Sequence, residues 1–153
     1  MKISQRGIDL IKSNEGLKLE AYLCPAGVWT IGYGVTKGVY KGMSITEDQA
    51  TQWLMEEICT REKELNKILD KYRVTVNQNQ FDALMDWCYN FNPYRLEHGG
   101  SGHGATGILS RLIKKDYQGA AKELLRWNKI GGVSSDILTT RRQKEYDLFM
   151  EKL

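Results

Sequence analysis

The chain has little of what most specialised protein classes need. Two prolines among 153 residues, beside 15 glycines, exclude a collagen-like helix and a proline-rich low-complexity segment. Cysteine is sparse and odd in number. Cys24, Cys59 and Cys88 cannot build a disulfide scaffold, lack metal-ligand spacing, and read as reduced thiols of a cytosolic chain. No run reaches the roughly 18 apolar residues of a membrane span. The opening MKISQRGIDLIKSNEG is amphipathic, unlike a secretory or anchoring segment. Lys plus Arg number 22 and Asp plus Glu 19, a net +3 with no basic stripe interleaved with aromatics. That balance does not name nucleic acid as a partner, though it suits an acidic polymer surface.

What is present fits one domain over residues 1–153, with 41% hydrophobic and 27% charged residues. A chain of this size buries roughly 70% of its unfolded surface and needs no staples. Ile3, Gly7, Ile8, Leu10 and Ile11 give a short helical face with Ser4 as its cap. From Lys18 to Val39, aromatic and β-branched residues broken by Pro25, Gly27, Gly32, Gly34 and Gly38 predict hairpin strands. Thr46-Glu47-Asp48-Gln49 has the capping-box pattern and opens a helix to about Tyr72. Asn77-Gln78-Asn79-Gln80 opens another, whose face is Phe81, Leu84, Met85, Cys88 and Tyr89 and whose end is Asn92-Pro93. Residues 95–107, with five glycines, read as a flexible loop; three short helices follow at 108–115, 117–127 and 139–150. Trp53, Trp87 and Trp127, and the helical Cys59 and Cys88, read as packing residues.

The expected architecture is α+β and mostly helical. A hairpin lobe (about 15–45) and a helical lobe (about 77–153, with the N-terminal helix) are joined by the helix 46–72, and the groove between them is the natural ligand site.

Glu15 falls at the end of the first helix, followed by Gly16 at a C′ position. The negative end of the helix dipole pushes a carboxyl pKa up, as proton donation to a leaving group requires. By position alone, the ordinary reading of Glu15 is a solvated carboxylate at a frayed helix end. The aromatics Tyr22, Trp29 and Tyr33 suit either sugar stacking or core. His98 and His103 flank the glycine run beside Glu97 without a third ligand at metal spacing, so no metal is expected.

The wider string alters that balance. Glu15-Gly16, Gly27 and Thr30-Ile31-Gly32-Tyr33-Gly34 closely resemble the active-site signature of the phage-type lysozymes, glycoside hydrolase family 24. In that family a catalytic Glu is followed nine residues later by Asp or Cys, and six after that by Thr; here these are Glu15, Cys24 and Thr30. The stretches Asn77–Leu84, Ala120–Asn128 and Arg141-Arg142 with Glu145 continue the resemblance in order along the chain. It implies a lysozyme-like two-lobed fold and hydrolysis, without metal or cofactor, of the β-1,4 bond between N-acetylmuramic acid and N-acetylglucosamine in bacterial peptidoglycan. Glu15 would be the general acid, and Thr30 would help hold the attacking water. In an inverting hydrolase the two groups stand about 6.5–9.5 Å apart to admit that water. Arg141, or Arg142 beside it, would pair with Glu15; both could instead lie on a solvated helix face.

Cys24 departs from the Asp-bearing members. A thiol is largely neutral at pH 7 and a weak acceptor, so it cannot stabilise an oxocarbenium-like transition state as a carboxylate does. Its roles are then water positioning, a thiolate fraction, or filling a turn before Pro25. Glu20 does not match the family's carboxylate position. Gly99-Gly100-Ser101-Gly102 looks like a linker, fits the family poorly, and leaves room for an artificial member. The resemblance implies a monomer that accumulates in the producing cell's cytoplasm and reaches the wall after a separate protein opens the membrane. A lytic transglycosylase and an inactive peptidoglycan-binding module are the competing readings; Thr30 favours hydrolysis.

Overall fold

The computed structural model describes residues 1–99 and 104–152. Helix α1 (Gln5–Glu15) is capped by Ser4, whose side chain accepts from the Gly7 amide. The same serine hydroxyl donates to Asp82, and its backbone amide donates to Asp82 Oδ1 at 2.9 Å. This fixes where α1 begins, and so where Glu15 ends it. Strands β1 (Lys18–Leu23) and β2 (Trp29–Gly32) form an antiparallel hairpin in which Tyr22 faces Thr30 and Leu23 faces Trp29, with a bulge between Lys18 and Tyr22.

Helix α2 (Glu47–Lys71) has 25 residues, about 38 Å of helix. Only half of its predicted capping box forms: Thr46 accepts from the Gln49 amide. The box at Asn77, by contrast, is complete, with Gln80 returning the bond to the Asn77 amide at 2.9 Å. It opens α3 (Gln78–Phe91). This helix departs from the single apolar face expected of it. Every residue from Phe81 to Cys88 is buried, Asp82 and Asp86 included, because α1, α2 and α7 all pack against it. A helix enclosed on all sides has no face to leave for solvent.

The predicted loop at 95–107 needs correcting at its start. Tyr94–His98 is a short helix, α4, pinned by the fully buried Leu96. The Leu96 carbonyl accepts from both the amide and the hydroxyl of Thr106. Residues 100–103, including His103, lie outside the described residues. Next come α5 (Gly107–Ile113), α6 (Tyr117–Leu124) and a two-residue hairpin, β3 (Lys129–Ile130) with β4 (Val133–Ser134), which sequence reading does not find. Helix α7 (Asp136–Met150) starts three residues before the predicted 139, because Ser135 caps it by accepting from the Leu138 amide.

The core gathers Leu54, Ile58 and Leu65 of α2 around Phe81, Leu84 and Trp87 of α3, closed by α5, α6 and Phe149 of α7. Trp87 is fully buried and meets the Trp127 ring edge-on at 5.0 Å. Cys88 is buried, but Cys59 is exposed, against expectation; it follows the inward-facing Ile58 by one residue and so points away from the core. Among the described residues, no helix is long and apolar enough to cross a membrane.

Candidate active site

Glu15 is the last residue of α1. Gly16 takes φ +69° and returns its amide to the Lys12 carbonyl at 2.9 Å, turning the chain sharply out of the helix. The Glu15 side chain is only 17% exposed. Its Oε1 accepts from Arg141 Nη1 at 2.7 Å, and its Oε2 lies against Gly34. Burial pushes the carboxyl pKa up; the Arg141 charge and hydrogen bond pull it down, and burial wins. The elevation expected from the helix end is therefore present, with desolvation as its main cause.

Arg141 is held from behind. Its Nε and Nη2 donate to the two oxygens of Asp86, each at 3.0 Å, and Asn14 Nδ2 donates to the same carboxylate at 3.1 Å. Bidentate pairing of this kind fixes the guanidinium plane. Arg142 makes no contact with Glu15 and acts on it only through space. It is fully buried, donates to Asn90 Oδ1 at 3.0 Å and to Glu145, and lies 4.7 Å over the Phe91 ring. Neither arginine sits on a solvated face.

Thr30 and Cys24 belong to the hairpin. Thr30 is buried, and its hydroxyl donates to the Val28 carbonyl at 2.9 Å. Cys24 sits at the mouth of the turn, its amide bonded to the Val28 carbonyl at 3.0 Å, with its side chain partly exposed. Hydrogen bonding from the Val28 backbone, outweighing desolvation and aided by the Ala26 backbone, holds the thiol below its usual pKa. Glu20 is exposed on β1, where its backbone bridges to Ser44.

The hairpin is brought to Glu15 by α3. Tyr89 donates its hydroxyl to the Tyr33 carbonyl at 2.7 Å, which sets the following Gly34 against the carboxylate. Tyr33 is buried, Trp29 half-buried and Tyr22 exposed. Two recesses adjoin these residues. One of about 540 Å³ is lined by Asn14, Glu15, Asn90, Ile137, Arg141 and Lys144. The other, about 260 Å³, is lined by Gly34, Val35, Lys37, Glu57, Arg61 and Tyr89. Trp53 is only half-buried and borders a further recess with Val35 and Glu57. Among the described residues, no group of three His, Cys, Asp or Glu side chains could hold a metal ion. His98 stacks on Tyr94 at 4.0 Å.

Asp86, Asn14 and Tyr89 do not emerge from sequence reading as parts of a site. Their one available signal was the acidic pair Asp82 and Asp86, spaced by one helical turn inside an otherwise apolar stretch.

Fold and site together define a lysozyme-like, mostly helical α+β protein. An endolysin of Escherichia coli O157:H7 phage FAHEc1 superposes with a TM-score of 0.84 at 34% identity, covering 99% of this chain and 94% of that one. The muramidase domain of SpmX from Asticaccaulis excentricus superposes at 0.83 with 30% identity, covering 99% of each. In sequence, an endolysin of Acyrthosiphon pisum secondary endosymbiont phage 1 is 37% identical over 97% of this chain and 98% of its own length. The phage lysozyme family model matches residues 12–145. The chain belongs to the phage lysozyme family.

Proposed function

We propose that the chain is an endo-β-1,4-N-acetylmuramidase that hydrolyses the N-acetylmuramic acid to N-acetylglucosamine bond of bacterial peptidoglycan. The observation that carries this reading is Glu15: a carboxyl group raised in pKa by burial, aimed by Arg141, lining an open recess. Its proton goes to the glycosidic oxygen as that bond breaks. Because the Thr30 hydroxyl proton is committed to Val28, the lone pairs of its Oγ1 are free to accept from an attacking water. The water adds to the anomeric carbon, and its second proton passes to the thiolate form of Cys24. Residues 15–45 and 77–153 form the two walls of one catalytic domain joined by α2, with neither metal nor cofactor taking part. The enzyme works as a monomer. It accumulates in the producing cell's cytoplasm and acts once it gains access to the wall.

The test is clearing of a cell-wall suspension by wild type beside Glu15→Gln, with folding followed by circular dichroism. New reducing ends from wild type, and none from a folded variant, are the expected result. Equal clearing by both would overturn the assignment of Glu15. 1,6-Anhydro ends would identify a transglycosylase, and wall binding without turnover an inactive module.

A further inference from the structure

Behind Arg141 lies a buried cluster that hydrolysis at Glu15 does not directly use. Asp86 of α3 and Glu145 of α7 are both fully buried, and their carboxyl groups face each other within hydrogen-bonding reach. Two carboxylates cannot share a hydrogen bond unless one carries a proton. Asp86 already accepts three side-chain bonds, two from Arg141 and one from Asn14. Glu145 accepts on Oε1 from Arg142, while its buried Oε2 has no donor to accept from. An oxygen in that setting is a place for a hydroxyl.

We propose that Glu145 is a positioning residue that stays protonated at neutral pH and donates from Oε2 to Asp86. The proton keeps Asp86 ionised with both oxygens on Arg141, so that Arg141 has only Nη1 to offer Glu15. With Glu145 neutral, the anions near Arg141 and Arg142 are Asp86 and Glu15, and when Glu15 holds its working proton the cluster carries one net positive charge. Burial raises the Glu145 pKa, with the Asp86 charge and hydrogen bond adding to it and Arg142 and Arg141 opposing. Burial also raises Asp86, but the Glu145 hydrogen bond and Arg141 outweigh it and leave Asp86 low. The titratable groups around the pair are Cys88 of α3 and the two arginines of α7; Glu15 is faced by Arg141, Tyr22 of β1 and Tyr89 of α3.

This inference rests on the reading of Glu15 as the acid, and its test separates the two. In Glu15→Gln, side-chain carboxyl ¹³C shifts assigned through bonds should show Glu145 protonated at pH 7. An ionised Glu145 there would overturn the proposal whatever the enzyme does to walls. In the active enzyme, Asp86→Asn removes an anion that raises Glu15 and should move the alkaline limb of the activity profile down by about one pH unit. Glu145→Gln keeps a donor for Asp86 and an acceptor for Arg142, and should leave that limb where wild type has it. An equal shift in both variants would mean that Glu145 is charged, and would also overturn the proposal. Loss of wall clearing in wild type would sink the Glu15 reading but leave the spectroscopic result standing.

Discussion

Gly34 occupies its position because Glu15 is there: a Cβ at residue 34 would lie 2.6 Å from Glu15 Oε2. Gly34 also sits at φ +82°, a conformation that costs a side-chain-bearing residue roughly 1–2 kcal/mol. Glu15 cannot swing away freely, since its other oxygen is tied to Arg141. Gly34→Ala should therefore displace the carboxyl group. We expect a loss of activity on the order of 10²-fold with a modest loss of stability, measured as initial clearing rate beside a urea unfolding curve. Wild-type activity in a folded variant would argue against Glu15 as the proton donor.

Arg141→Met removes the cation from between two carboxyl groups. Asp86 is left buried and unpaired, so the variant should lose about 3–5 kcal/mol in chemical denaturation. In whatever fraction folds, the Glu15 pKa rises further, because the opposing charge is gone, and the alkaline limb of the activity profile moves up.

Cys24→Asp should remain active and gain relative to wild type at acidic pH. A carboxylate stays ionised down to about pH 4, where a thiol is neutral. Clearing rates of the two proteins from pH 4 to 8 check this. Complete loss in a folded variant would show that the thiol itself is required.

Through the buried pair Asp86 and Glu145, stability should be greatest at about pH 4 and fall on both sides. Asp86, lowered in the fold, contributes above its unfolded value near 4, and that contribution disappears as acid protonates it in the fold. Glu145, raised in the fold, contributes below its own unfolded value near 4, and that contribution disappears as the pH climbs through its folded pKa. Thermal midpoints across pH should thus show a decline that begins just above about pH 4 and is shallower in Glu145→Gln.

Asn77→Ala opens the complete capping box at the start of α3 and should cost about 1 kcal/mol without altering the Glu15 titration.

What could be read from sequence was what neighbours in the chain decide. Asn77 and Gln80 stand three apart, and their box follows from their own chemistry; Gly16 ends α1 for a similar reason. The family string brought Glu15, Cys24 and Thr30 into view. The rest depends on distant partners. Tyr94–His98 is helical because Leu96 finds the core, a fact no glycine count nearby contains. Arg141 and Arg142 are adjacent and chemically alike, and only the packing of α7 against α1 and α3 turns one towards Glu15 and Asp86 and the other towards Asn90. Asp86, between Met85 and Trp87, looked like the polar side of an amphipathic helix.

The bond between Glu15 and Arg141 spans 126 residues of chain. During synthesis, the acid on α1 leaves the ribosome well before the guanidinium that aims it, which follows on α7. A nascent or truncated chain without α7 holds the carboxyl group but nothing to orient it. The aimed acid thus exists only once α7 has been made and has packed against α1 and α3.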